Sequence, residues 1–166
     1  MLAVLITDTE SSKSDSISPP NTLFLLKRFL LIILVLGMLG TGTDLLLLGH
    51  TDGWTQLIPI IVLAVSLLST VAVALRPSPP LVYGFRGTMC LVLTSGIVGV
   101  VLHYRGNADF ELEMRANIRG VELIWNALTG ATPALAPGTM ILLGLLGLLY
   151  SYRHPALTKE PRKEMI

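Results

Sequence analysis

At 166 residues, 52% of them hydrophobic and 14% charged, with a mean hydropathy of +0.69, the chain lies outside the composition of water-soluble domains, in which about 25% of residues are charged. A net charge of +1 offers no electrostatic footprint for nucleic acid. The single cysteine, Cys90, excludes an intramolecular disulfide framework, a Cys-X-X-Cys redox pair and c-type haem attachment. The expected class is therefore an all-α integral membrane protein.

Residues 1–22 start with a short apolar run that has no basic region before it, so no cleaved signal peptide is expected. The stretch "TDTESSKSDSISPPNT" that follows is Ser-rich and polar and reads as a flexible cytoplasmic tail. A helix rises about 1.5 Å per residue, so about 20 apolar residues cross a hydrocarbon core of about 30 Å. Four segments meet that condition: 23–48, 54–75, 82–103 and, shortest, 135–152. The connections 49–53 and 76–81 are short, which makes the first three spans antiparallel neighbours. "RPSPP", residues 76–80, is a stiff stop between two of them. The expected fold is four transmembrane helices in an antiparallel bundle over residues 23–152.

Close helix approach in lipid needs small residues. Ser66-x-x-x-Thr70, Ser95-x-x-x-Gly99, the Gly37/Gly40 pair and the Gly144/Gly147 pair supply them. Every Tyr and Trp falls at a span end or in the third connection, where amphipathic rings meet the headgroups.

The third connection, 104–134, is the one sizeable polar element. Phe110, Met114, Ile118, Val121, Trp125 and Leu128 recur at steps of three and four, the period of a helix. Glu111, Arg115, Arg119 and Glu122 occupy the opposite face, and Glu111–Arg115 has the favourable i,i+4 order. The pattern predicts an amphipathic helix over about 109–129, lying at the outer interface with its apolar stripe against headgroups or a partner. Gly106–Asn107 reads as the turn that leads out of the third span, and Asn117 and Gly120 weaken the helix within.

Lys and Arg set the orientation. With both termini cytoplasmic, nine lie inside and three, Arg105, Arg115 and Arg119, lie outside among four acids. Residues 153–166 form a basic cytoplasmic tail. The expected location is the cytoplasmic membrane, multi-pass, with 104–134 on the outer side.

Asp44 is the sharpest functional candidate. It lies about one turn inside the outer end of the first span, where a carboxylate is costly unless paired or wet. His50, Gln56, His103 and Arg105, at the same outer level, are the partners it would need, His103 and Arg105 first among them. That cluster suits a proton or cation relay in a small oligomeric transporter or channel. His103 is also the best-placed ligand for a pigment, haem or metal, although no other cofactor is expected and no established metal spacing occurs. No nucleophile elbow, P-loop or dinucleotide fingerprint is present. The reading that fits best is a non-enzymatic accessory or assembly subunit, with the bilayer and other membrane subunits as partners.

Overall fold

The computed structural model describes residues 19–130 and 135–157, with side chains from Thr22. The expected tails 1–22 and 153–166 lie largely outside the described residues, as does the stretch 131–134. The described residues form five α-helices and no strand: α1 (Pro19–Leu47), α2 (Trp54–Leu75), α3 (Pro79–Met114), α4 (Gly120–Leu128) and α5 (Leu135–Ser151), followed by a 3₁₀ turn, Pro155–Leu157. Three of the helices are long and apolar enough to cross a membrane: Thr22–Leu47, Trp54–Leu75 and Pro79–Met114. At 17 residues α5 is apolar but shorter.

The helix boundaries follow from local chemistry. α1 ends in a Schellman motif, in which Gly49 takes φ +67° and the His50 and Gly49 amides donate to the Leu45 and Leu46 carbonyls at 2.9 and 3.1 Å. Gln56 reaches back to accept from the Asp52 amide at 3.0 Å, which steadies the start of α2. Pro79 and Pro80 open α3, where a missing N–H costs nothing.

α3 packs on α5 and on α2, and α1 packs on α5 and on α2. The buried stripe of α1 is Leu34, Met38, Thr41 and Leu45, at helical spacing. From α2 come Leu63, Ser66, Thr70 and Val73; from α3, Val82, Phe85, Met89 and Val92. The Ser66/Thr70 pair is a packing contact, fully buried, with Ser69 and Thr88 sharing a hydroxyl hydrogen bond of 2.8 Å beside it. Small residues also bring α3 and α5 together. A Cβ at Gly96 would stand 2.7 Å from the Pro137 carbonyl oxygen, and one at Gly144 would stand 2.8 Å from the Leu93 amide nitrogen. At Gly147 the neighbour is instead the flexible Met89 side chain. Large apolar side chains cover the outside, with Phe24, Leu36, Leu68 and Leu91 all more than half exposed. A surface of that kind suits contact with a lipid bilayer.

The polar end departs from expectation. α3 does not stop near His103 but runs to Met114, so its 36 residues extend about 54 Å. There is no turn at Gly106–Asn107. Asn107 is buried, and its side-chain amide donates to the Ala127 carbonyl at 2.9 Å, fastening the end of α4 to the flank of α3. A tertiary hydrogen bond there outweighs the weak helix propensity of Gly and Asn. The single helix expected over about 109–129 is two pieces. The break spans 115–119, and α4 begins on Gly120 at φ +63°, a conformation that suits glycine. Arg115 ties the pieces together by donating to Glu111 at 2.6 Å and to Glu122 at 3.2 Å. Those bonds, the one to Glu111 first, hold its guanidinium above the ordinary arginine value.

Candidate functional site

Between the C-terminus of α1, the N-terminal parts of α2 and α5 and the 91–106 stretch of α3 lies a partly open cavity of about 570 Å³. Its walls are mostly apolar: Leu45, Ile58, Pro59, Val62, Leu91, Val98, Leu102 and Met140. His50, Thr55, Gln56, Thr94, Ser95 and His103 supply the polar lining. The rings of His50 and His103 lie nearly parallel, at 11°, with centroids 6.1 Å apart, and both residues are half-buried. Gly49 makes this pairing possible, because its left-handed turn brings His50 back over the bundle end.

Of Asp44, His103 and Arg105, His103 alone lines this cavity. Asp44 sits inside α1, which continues past it to Leu47, so it is not a residue of the loop. It falls beside the buried stripe, is exposed, and its side chain makes no hydrogen bond or ion pair with a described residue. Arg105 is likewise exposed, on α3, and does not line the cavity. The residue that His103 meets is His50, not Asp44. Among the described residues no group of three metal-ligating side chains converges.

The apolar stripe of the polar end is split by the break between α3 and α4. Ile118 turns inward and is only 5% exposed. Phe110, Met114, Val121, Trp125 and Leu128 remain on the surface, with Ile124 beside them. The elements that carry them, the end of α3 and α4, are pinned by Asn107 and Arg115.

The opposite end carries an arrangement not legible in sequence. Arg86, half-buried on α3, donates from Nε to the Ser151 hydroxyl at 3.2 Å and from Nη2 to the Ser151 carbonyl at 2.7 Å. This caps the C-terminus of α5, where unpaired carbonyls attract a cation. Its guanidinium lies 5.8 Å from the Tyr83 ring centroid. His154 is buried, its ring 5.7 Å from that of Tyr150, and its Nδ1 accepts from the Ala156 amide at 3.2 Å. An arginine seven residues into an apolar helix that starts with two prolines was the only available signal, and its partner lies 65 positions away.

Burial holds the His154 imidazole below its usual value, and the like charges of Lys27 on α1 and Arg86 on α3 push it further down. The folded protein thus prefers neutral His154, and the unfolded chain binds more protons. Its contribution to stability is complete above an ordinary imidazole value of about 6.5 and is lost as pH falls through the depressed folded value. Thermal unfolding in detergent at pH 7.5 and pH 5 is expected to show a loss on acidification that is smaller in His154→Gln. An equal loss in both proteins would remove His154 from the effect.

No family model matches the chain, and no curated protein or solved structure matches it either.

Proposed function

We propose that this chain is a small polytopic membrane protein that acts by association: a non-enzymatic accessory or assembly subunit of a larger membrane complex. It crosses the cytoplasmic membrane four times as an antiparallel four-helix bundle, with both termini cytoplasmic and 104–134 outside. α5 is the shortest span. Its 17 residues reach about 26 Å, a shortfall that local bilayer thinning accommodates. Charge distribution supports this orientation. Lys27, Arg28, Arg76, Arg86 and Arg153 occupy one end, whereas every described carboxylate belongs to the other.

The observation that carries the reading is the set of exposed apolar side chains at this end, Phe110 and Met114 on α3 and Val121, Ile124, Trp125 and Leu128 on α4. It lies beyond the part of α3 needed to span the bilayer and is held in place by Asn107 and Arg115. Preformed apolar anchors of this kind, Trp above all, mark interaction surfaces. Asp44 offers the transporter alternative less, because it does not line the cavity and its side chain has no partner among the described residues. The cavity beside His50 and His103 favours a second reading, a membrane protein that holds a small ligand, pigment or haem there.

One experiment separates the two. Native mass spectrometry of the protein extracted with its surrounding lipid is expected to show a complex of defined stoichiometry that Trp125→Ala together with Val121→Ser dissociates. A lone monomer, or a complex indifferent to those changes, would overturn the subunit reading. A bound small mass lost in His103→Ala would establish the second.

A further inference from the structure

The cytoplasmic end holds a recess of about 550 Å³ between the start of α3 and the end of α5. Arg86, Arg153 and His154 line it together with Tyr152, Leu148 and Leu157. We propose that this recess binds the phosphate of an anionic phospholipid headgroup. The inference rests on the membrane reading above but not on the subunit reading.

Four observations carry it. First, Lys27, Arg28, Arg76, Arg86 and Arg153 converge on this end from α1, the end of α2, α3 and the turn after α5, and no described carboxylate accompanies them. Positive potential here is therefore uncompensated among the described residues. Second, Arg86 is fixed in advance. Its Nε and Nη2 are held by Ser151 and its face lies near Tyr83, while Nη1 makes no hydrogen bond with a described residue. A preorganised guanidinium loses little freedom on binding phosphate, and its N–H groups match the geometry of phosphate oxygens. Third, Arg153 adopts φ +44°, a left-handed conformation usually left to Gly or Asn. That strained residue lies in the turn after α5 and sits in the wall of the recess. Fourth, the lining is amphipathic. Leu148 and Leu157 offer an apolar side to the glycerol and first methylenes, while exposed Tyr152 sits at the headgroup level. A free anion would use the cations and leave the apolar side unoccupied, which is why a lipid is the better fit. Basic recesses between membrane helices on the cytoplasmic side suit anionic headgroups for these reasons.

The test is lipid retention in the full chain, read by native mass spectrometry from mixed phosphatidylglycerol and phosphatidylcholine micelles. Phosphatidylglycerol is expected to be retained preferentially at one site. Arg153→Gln, an exposed position, should weaken that preference about fivefold, the effect of one basic residue near an anionic surface. Arg28→Gln and Arg76→Gln, at the same end but outside the recess, should weaken it clearly less than Arg153→Gln. Arg86→Gln also removes the tie to Ser151, so Arg153→Gln carries the decision. Equal retention of the two lipids would overturn the proposal, as would equal effects of Arg28→Gln and Arg153→Gln. Displacement of phosphatidylglycerol by millimolar inorganic phosphate would assign the recess to a free anion and would also overturn it. Retention of neither lipid would count against the membrane reading itself.

Discussion

Alanine at Gly144 or at Gly96 is expected to loosen the bundle by about 1–3 kcal/mol, the usual consequence of forcing a methyl group into a packed contact. At both positions the neighbouring atoms include backbone: the Leu93 amide nitrogen beside the Leu93 Cβ for Gly144, and the Pro137 carbonyl and Ile141 nitrogen beside the Ile141 Cγ1 for Gly96. Backbone inside a helix cannot step aside, so α3 and α5 must separate along their shared length. In lipid that separation is serious, because helix association rests on close van der Waals contact and has no hydrophobic drive behind it. Gly147→Ala should cost less, since the obstructing atoms belong to the flexible side chain of Met89. Gly40→Ala should be neutral or slightly stabilising, with nothing within 4 Å of its Cβ and a gain in helix propensity. Unfolding in increasing dodecyl sulfate ranks the four variants. Gly144→Ala unfolding with the wild type would refute the α3–α5 contact.

Truncation of Phe85 is expected to have the larger single effect. Its ring is fully buried between α3 and α5, edge-on to Tyr150 with centroids 5.8 Å apart. Phe→Ala in a water-soluble core costs about 3–5 kcal/mol. Here hydrocarbon replaces water around the separated helices, so the transfer part of that loss is smaller and roughly 2–4 kcal/mol should remain. Tyr150 leads directly to His154, and Arg86 follows Phe85, so the same change should also disturb the Arg86–Ser151 link. Phe29→Ala is the control. Phe29 is 61% exposed on α1 and should be within about 0.5 kcal/mol of the wild type. A similar loss in both variants would mean that Phe85 is not a packing anchor.

The two expectations differ in how far sequence could have supplied them. Gly144 and Gly147 stand out in the sequence as small residues one turn apart. Which of them meets backbone and which meets a side chain depends on how α5 is rotated against α3, and that information belongs to neither helix alone. Asp44 shows the same limit. Its depth in the first span is a matter of counting residues, but its exposed side is set by which stripe of α1 the other helices cover. His103 was legible as a rim residue. Its partner, His50, depends on the path of the chain after Gly49. Asn107 was misread as a turn because its propensity is local, whereas the bond that keeps it helical comes from Ala127, 20 residues away.

By itself the sequence determined the all-helical, lipid-compatible character of the chain, the stops at Gly49 and at the Arg76–Pro80 turn, and the charge contrast between the two ends. Those properties follow from apolar run length, from Gly and Pro at breaks and from the placement of Lys and Arg, and each acts over a few neighbouring residues. Tertiary structure alone decided the continuation of α3 to Met114, the His50–His103 pairing, the cavity beside it and the hold of Arg86 on Ser151. Each of these needs two segments far apart in the chain to meet at one rotation and one depth, and only the packing of the helices against one another selects that combination.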